Sequence, residues 1–521
     1  MDVDSPTQNE PSGRPTGLGH RVISALTASF AVFVVARLLQ VAFLATLARL
    51  LSPADFGIAA AAAAFLSIVT LVAQMGVGSA IVQAPVLTDR TINVANTIVL
   101  GMGVLFFGLM EISAPLVAAW FRNDLMTPVV QVVALAGLGL AVAAVPQGLL
   151  TRDLRARDLA LIDLAGAVAG TALVAIPMAI LGCGYWALVI GLIVQVCSRA
   201  VLVRIVARRS FPFILDLGEI RRLWARGAGF SLVVLFTRIA SQADRFIVGR
   251  YLPIAALGLY SRANSLMGFP ETLYGQVVER VAFPAIAQVQ DERERLRTAY
   301  MHGLSLVAVI GMPLTVVLVA VASELVRVVL GSGWQGVIWP FRILGLAMYF
   351  RLSVRVGGTV LRGVGQPYLL AAAQLAFAVL TVAGCLFAVR FGLIGICAAV
   401  VAATSLNYAL VTFLACRRTG LSFVDFVGAQ LNGLACGVLA VVVAYPALLA
   451  ARRLDFNAFE TVLAVGAACG LAALGAVVLA PKLFLGAAGS LVLDNLIALS
   501  SRFRLLSGLG RLLAKRRTTP P

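Results

Sequence analysis

The stretch ARLLSPADFG at residues 48–57 has a counterpart, GRYLPIAALG, at residues 249–258. Arg49 and Arg250 lie 250 − 49 = 201 positions apart, and the final glycines of the two stretches keep that spacing. In each copy an arginine and a proline-containing turn close one apolar run, and the glycine begins the next. The repeat predicts that one structural unit occurs twice, six helices apart, with the same orientation across a membrane.

The composition places the chain among polytopic membrane proteins. Of its 521 residues 61% are hydrophobic and 12% charged, and the mean hydropathy is +0.98. Soluble domains carry about 25% charged residues. Apolar runs of the length that one membrane-spanning helix needs, about 20 residues, recur along the chain. Because the alternation typical of barrel strands is absent, the sequence predicts an all-α bundle.

About fourteen transmembrane helices are expected. They lie near residues 22–48, 55–82, 93–118, 126–148, 160–181, 184–206, 224–249, 255–284, 299–322, 334–357, 367–389, 392–415, 428–450 and 460–480. Arginine-rich loops alternate with arginine-poor ones, and the positive-inside rule places the rich loops and both termini in the cytoplasm.

The repeat divides the chain into five regions. We expect two six-helix lobes, at 20–210 and 211–420, related by a pseudo-two-fold axis along the membrane normal, followed by two further helices at 421–481. Residues 1–19 resemble a disordered cytoplasmic tail. Residues 482–521 combine leucines with arginines and lysines, a pattern typical of a basic amphipathic helix on a membrane surface.

Several function classes find no support in the sequence. The formal net charge of +18 is almost entirely arginine in short loops, which indicates membrane topology rather than nucleic-acid binding. Two histidines and seven cysteines without CxxC spacing predict no metal site and no cofactor. No GxSxG, HExxH or Walker loop occurs, so neither a catalytic site nor ATP hydrolysis is expected. The gradient of a proton, of sodium or of the cargo would then supply the work.

Arginines inside apolar runs are the most informative polar residues. Arg37 precedes Arg49 by 12 residues, which puts it about 18 Å down the helix, near the membrane centre. Arg238 has the equivalent depth in the second copy, and Gln242 and Arg245 share its helical face. A central arginine costs about 2.5–3.5 kcal/mol to insert, so it must face a wet cavity or a counter-charge.

Two interpretations of these arginines remain open. Guanidinium groups bind phosphate oxygens in bidentate geometry, which favours an anionic lipid headgroup as cargo. Alternatively, Arg37 and Arg238 pair with buried acids and lock helices together, with Asp163, Glu111 and Asp244 as the available partners. A break in the eighth predicted helix at Pro270 would fit a transport pathway.

The local motifs resemble one family. ARLLSPADFG follows span 1, GCGYWALV opens span 6, and QADRFIVGRYLPIAALGLYSRA joins spans 7 and 8. From about residue 20 to residue 480 the chain resembles the polysaccharide-exporter branch of the multidrug/oligosaccharidyl-lipid/polysaccharide flippase superfamily. The resemblance implies a V-shaped pair of lobes with a central cationic cavity. It also implies an undecaprenyl-diphosphate-linked oligosaccharide as cargo, moved from the cytoplasmic to the periplasmic leaflet of the bacterial inner membrane for capsule, exopolysaccharide or lipopolysaccharide assembly.

The resemblance also suggests roles for residues. In related lipid II flippases an arginine in SRVLG on span 1 matches Arg37, but Phe43 stands where those proteins have a second arginine. Alternating access would then use three groups of residues. The expected diphosphate ligands are Arg37, Arg238, Arg245 and Arg262; the expected sugar ligands are Gln242, Thr272 and Gln276; the candidates for ion coupling are Asp163, Asp244 and Glu279.

Two rival functions differ in their sequence requirements. A drug or cation antiporter of the same superfamily would need carboxylates to dominate the cavity. A membrane-embedded glycan polymerase or ligase would need a large outer loop with catalytic residues. A flippase would work with a bacterial membrane, a lipid-linked oligosaccharide and, downstream, a polysaccharide polymerase and export machinery, and it would need no nucleic acid.

Overall fold

A computed structural model describes residues 35–74, 88–153, 155–209, 211–216, 236–277, 292–480 and 483–484. Within these ranges the regular structure is entirely helical, as the composition predicts. The apolar faces of the helices share one large core that extends from Leu47 to Ala429. The protein is therefore an all-α, multi-pass membrane protein.

The first predicted lobe contains seven described helical segments. They are α1 (35–50), α2 (Pro53–Gln74), α3 (Asp89–Phe121), α4 (Met126–Arg152), α5 (Ala156–Ala167), α6 (Ile176–Ile180) and α7 (Tyr185–Ala207). A π-helical segment, Val168–Ala175, joins α5 to α6, so that one apolar run extends to Ile180.

The second predicted lobe and the predicted C-terminal helices contain ten more described segments. They are α8 (236–251), α9 (Ile254–Val277), α10 (Arg293–Ala320), α11 (Ala322–Val329), α12 (Ile338–Leu346), α13 (Met348–Gly363), α14 (Pro367–Ala388), α15 (Gly392–Thr419), α16 (Phe423–Arg453) and α17 (Ala458–Leu479). Short 3₁₀ segments at Ser332–Val337 and Val389–Phe391 precede α12 and α15.

Local signals set several helix ends. Asn457 and Glu460 form a reciprocal capping box that begins α17, and the Ser422 side chain accepts a hydrogen bond from the Asp425 N–H at the start of α16. Gly392, with φ of +67°, turns the chain between α14 and α15, in a conformation that a residue with a Cβ rarely adopts.

Eight helices in the described ranges are long and apolar enough to cross a membrane, and a ninth follows if the bent segment Ser332–Gly363 is one span. One of the eight runs from Pro367 to Thr419. A straight helix of that length would measure about 80 Å, far beyond the roughly 30 Å of bilayer hydrocarbon. Because its two parts, α14 and α15, pack side by side, they form a hairpin. The count of fourteen stays a prediction.

The break expected at Pro270 does not occur. α9 continues through Pro270 to Val277. The proline removes one helical N–H, but packing against neighbouring helices keeps such a helix intact in membrane proteins. Close by, the Thr272 hydroxyl donates to the Gly268 carbonyl at 2.7 Å, so it bonds to its own helix.

The two halves of the chain meet around the quoted repeat. Arg49 Nη2 donates to the Val328 carbonyl at 2.9 Å, and Arg250 Nη1 donates to the carbonyls of Ala119 and Trp120 at 3.0 and 2.8 Å. Each arginine therefore anchors its turn to the opposite half of the chain. The indole of Trp334 supports this end by donating to the Ala48 carbonyl at 2.7 Å.

Candidate functional site

A cavity of about 600 Å³ lies within the second half of the chain. Its lining runs from Thr237 to Asn407 and comes from α8, α9, α13, α14 and α15. The family resemblance implied a central cationic cavity between the two lobes, whereas none of the described residues of the first half lines this one.

Among the described residues, five arginines line the cavity and come from two helices. Arg238 and Arg245 lie seven residues apart on α8. Arg351, Arg355 and Arg362 lie on α13 at spacings of four and seven, which puts all three on one helical face. Two carboxylates, Asp244 and Glu271, accompany them, so the described lining has a clear excess of positive charge.

Glu271 pairs with two of the five arginines. Its Oε1 accepts a hydrogen bond from Arg355 Nη2 at 2.7 Å, and its Oε2 lies 3.6 Å from Arg351 Nη1. Arg351 Nη1 also donates to Asn264 Oδ1 at 3.0 Å. These contacts hold Arg351 and Arg355 against α9, and the Nε of Arg355 is buried without a partner.

The arginines of α8 have different surroundings. Arg245 Nη1 donates to Gln242 Oε1 at 2.7 Å, one turn away, and its Nε is buried without a partner. The exposed side chain of Arg238 forms no ion pair with any residue in the described ranges. Arg238 therefore lines the cavity without an ion-pair partner from the described part of the chain.

Asp244 is the deeply buried acid of the cavity lining. It is 4% exposed, and its carboxylate accepts hydrogen bonds from the Tyr260 hydroxyl and, at 2.7 Å, from the Arg245 backbone N–H. The acid that the sequence offered as an arginine partner is thus held by a tyrosine and the backbone.

Neutral polar groups on α14 and α15 also line the cavity. α14 contributes Gln374 and Thr381, and α15 contributes Thr404 and Asn407. The two threonine hydroxyls donate to carbonyls of their own helices, at 2.8 and 2.7 Å. The Asn407 side-chain oxygen is buried without a partner, so the wall retains an unused acceptor.

Four of the predicted site residues line this cavity: Arg238, Gln242, Asp244 and Arg245. Arg37, Arg262, Thr272 and Asp163 do not line it. Glu279 and the side chain of Gln276 lie outside the described part of the chain.

The residues away from the cavity have other contacts. Arg37 Nη1 donates to Gln40 Oε1 at 2.7 Å on its own helix. The Arg262 guanidinium stacks on the Phe56 ring, 4.5 Å from its centroid, and so packs one half against the other. Asp163 pairs with Arg199 at 2.6 Å within the first half.

Sequence reasoning missed Arg351, Arg355, Arg362 and Glu271 as site residues. The available signal was the spacing i, i+4 and i+11 of the three arginines at the end of the predicted span 334–357 and just beyond it, which marks one polar face. The described residues include no cluster of three or more histidine, cysteine or acidic side chains suited to a metal ion.

Comparisons by sequence identify relatives in polysaccharide synthesis. The family described as "Polysaccharide biosynthesis protein" matches residues 46–339, more than half of the chain. The chain is 25% identical over 298 residues to the teichuronic acid biosynthesis protein TuaB of Bacillus subtilis, covering 57% of this chain and 62% of that protein. It is 28% identical over 333 residues to the succinoglycan biosynthesis transport protein ExoT of Rhizobium meliloti, covering 61% and 65%.

A third relative is the lipopolysaccharide biosynthesis protein WzxC of Escherichia coli, 22% identical over 332 residues, covering 62% of this chain and 63% of that protein. The chain thus spans just under two thirds of the length of the curated relatives that it matches.

Two solved structures share the fold. The lipid II flippase MurJ in an inward closed conformation superposes with a TM-score of 0.69 at 12% identity, over 86% of this chain and 98% of that one. An inward-facing multidrug resistance transporter of the MATE family gives 0.57 at 16% identity, over 72% and 94%.

Proposed function

Because the chain belongs to the polysaccharide biosynthesis protein family, we propose that it is a flippase for an undecaprenyl-diphosphate-linked oligosaccharide. It moves this cargo from the cytoplasmic to the periplasmic leaflet of the bacterial inner membrane, with both of its termini in the cytoplasm. The cargo then passes to a polysaccharide polymerase and export machinery.

The observation that carries this proposal is the excess of arginine around one cavity. Arg238, Arg245, Arg351, Arg355 and Arg362 all line it, and its described lining includes two carboxylates. Planar guanidinium groups bind phosphate oxygens in bidentate geometry and stay charged in a low-dielectric site. An excess of fixed positive charge disfavours a cationic drug as cargo.

The electrostatic gain is large enough to offset desolvation of a diphosphate. At an effective dielectric near 20, a pair of unit charges 4 Å apart is stabilised by about 4 kcal/mol. A diphosphate bound by two or three of the five arginines gains several such contacts. The neutral side chains of Gln374, Thr404 and Asn407 supply hydrogen-bonding partners for the sugar that follows the diphosphate.

The position of the cavity fits a state open to the cytoplasm. Arg238 lies 12 residues before Arg250, about 18 Å down α8 from the turn that the predicted topology puts on the periplasmic side. At that turn Arg49 and Arg250 bind carbonyls of the opposite half. In alternating access these contacts separate when the cavity opens to the periplasm.

Ion coupling, if the cargo's own gradient is insufficient, is assigned to Asp244. It lines the cavity and is buried, whereas Asp163 is half-exposed and paired with Arg199 away from it. Protonation or sodium binding at Asp244 would change its contacts with Tyr260 and Arg245, and so would reach the arginines directly.

The test is complementation of a deletion strain. Loss of the gene is expected to leave lipid-linked repeat units unpolymerised on the inner leaflet and to abolish the surface polysaccharide. Wild-type protein should restore export, and the double variant Arg351→Gln/Arg355→Gln should not, although it reaches the membrane in normal amount. Arg453→Gln, an exposed arginine at the end of α16, is the matched control. Normal export without the gene would overturn the proposal.

A further inference from the structure

Glu271 differs from Asp244 in how it is used. The Glu271 carboxylate lies between two arginines of α13, 2.7 Å from Arg355 Nη2 and 3.6 Å from Arg351 Nη1. Asp244 instead accepts hydrogen bonds from Tyr260 and a backbone N–H. Within the described lining of the cavity, Glu271 is therefore the carboxylate that is ion-paired with the arginines.

We propose that Glu271 is an exchangeable internal counter-ion. It holds Arg351 and Arg355 while the cavity is empty and releases both to the diphosphate of the cargo. The inference rests on the proposed function, since it takes the arginines as the diphosphate site. It adds that a residue of the chain competes with the cargo and thereby sets both its affinity and its release.

The contacts of the two arginines leave room for a stronger ligand. A guanidinium carries five N–H donors, and one carboxylate cannot satisfy ten. Arg355 Nε is buried without a partner, and the Nη1 of Arg351 is shared between Asn264 and the longer contact with Glu271. A diphosphate has more oxygens and more charge than a carboxylate, so it can bind the donors that Glu271 leaves unused.

When no cargo is bound, the arginines of the cavity need the Glu271 carboxylate as a counter-charge. Partly buried arginines that face one another without a counter-charge repel and are poorly solvated. When the cargo leaves, Glu271 can pair with Arg351 and Arg355 again, which stabilises the empty form relative to the loaded one. Glu271 therefore weakens cargo binding and stabilises the empty protein, which can then return to the state that accepts new cargo.

The backbone around Glu271 permits the exchange. Pro270, its neighbour, has no N–H, so α9 lacks one hydrogen bond at this point and bends more easily there. At Gly275 a Cβ would come within 2.7 Å of Arg355 Nη1, so the arginine lies against bare backbone. The exchange needs rotation of side chains and a small bend of the helix.

Binding of inorganic pyrophosphate to the purified full-length protein in nanodiscs tests the inference. Glu271→Gln keeps the shape of the side chain but removes its charge. It is expected to bind pyrophosphate about tenfold more tightly, which is the gain if Glu271 leaves the arginines free in about one wild-type molecule in ten. Glu271→Asp, which keeps the charge, should stay near wild type. Arg355→Gln should bind more weakly.

The matched control is Glu324→Gln. Glu324 forms a 2.7 Å ion pair with Arg452 away from the cavity, so its substitution removes an equivalent pair and should leave pyrophosphate affinity unchanged. In transport, Glu271→Gln is expected to lower both KM and kcat, because tight binding slows release. A purely structural role would not produce that combination.

The outcomes separate the two proposals. If Glu271→Gln binds pyrophosphate no more tightly while Arg355→Gln loses affinity, the counter-ion role is wrong and the arginine site stands. If no folded variant, wild type included, binds pyrophosphate, the arginines are not a diphosphate site, and the counter-ion role fails with the cargo assignment. Thermal unfolding of each variant establishes that it is folded.

Discussion

Gly57 and Gly258 make reciprocal contacts where α2 crosses α9. A Cβ on Gly57 would lie 2.0 Å from the Ile254 carbonyl oxygen, and a Cβ on Gly258 would lie 1.8 Å from the Pro53 carbonyl oxygen. Pro53 and Ile254 are themselves 254 − 53 = 201 positions apart. The two contacts interchange under the 201-residue offset of the sequence repeat.

This crossing gives the first prediction. Gly258→Ala should destabilise the protein by about 1–3 kcal/mol or more, because the obstructing atoms are backbone and cannot rotate away. The measurement is thermal unfolding in detergent. Gly108→Ala, in α3 with open space around the glycine, should be neutral or stabilising, since alanine favours helix. Equal unfolding temperatures for the two variants would refute the close crossing.

The second prediction concerns Arg250. Arg250→Ala removes two hydrogen bonds to the carbonyls of Ala119 and Trp120 and a cation–π contact with the Trp120 ring at 5.4 Å. The halves should separate more often at this end, which spin labels at residues 124 and 251 would report as a longer-distance population. Arg453→Ala serves as the control. An unchanged distance distribution would mean that Arg250 does not hold this end closed.

Arg238 distinguishes cargo binding from helix locking. Because its side chain has no ion-pair partner among the described residues, Arg238→Ala should change the free energy of unfolding by less than about 0.5 kcal/mol. Transport should fall about tenfold or more, since a charge-assisted hydrogen bond contributes about 1.5–3 kcal/mol. Arg262→Ala is the contrast, because its guanidinium packs on Phe56 and its loss should lower stability. Normal transport by folded Arg238→Ala would favour the structural interpretation.

Asp244 gives a prediction about energy coupling. Asp244→Asn keeps the hydrogen-bonding shape beside Tyr260 and Arg245 but cannot take up a proton or hold a cation by charge. In proteoliposomes, an imposed pH or sodium gradient should stimulate wild-type transport and leave the variant unaffected. Asp163→Asn, which disrupts the pair with Arg199 away from the cavity, should keep the stimulation. Stimulation of Asp244→Asn would exclude this residue as the coupling group.

Glu324 predicts a pH dependence of stability. Burial raises the pKa of the Glu324 carboxyl, but hydrogen bonds from Arg452 and Ser323 outweigh it, so the pKa lies below its ordinary value of 4.5. A lowered pKa in the folded state contributes stability above the unfolded-state value, and that contribution is lost as the pH falls through the folded-state value. Unfolding temperatures of wild type and Glu324→Gln should differ at pH 7 and converge as the pH falls below the folded-state pKa of Glu324.

Much of the fold was accessible from the sequence. Apolar runs of about 20 residues dictate membrane helices, because a backbone without water must satisfy its own hydrogen bonds. The predicted spans 126–148, 184–206 and 428–450 correspond to α4, α7 and α16. The helix break predicted at Pro270 was wrong, because the destabilisation of a helix by proline depends on the helices that pack around it.

The candidate site was only partly predictable. Arg238, Gln242 and Arg245 lie on one helix, and their spacing alone predicts that they share a face. That Arg351 and Arg355 meet Glu271 is a contact between helices 80 or more residues apart, which no local pattern contains.

For this protein, the amino-acid sequence alone determined the membrane-protein class, the helices and the sequence repeat. These features follow from the hydropathy and the residue periodicity within single segments. Tertiary structure decided which charged groups share a cavity. It grouped five arginines of the second half and left Arg37 and Arg262 elsewhere, since the partner of a buried charge depends on how the helices pack.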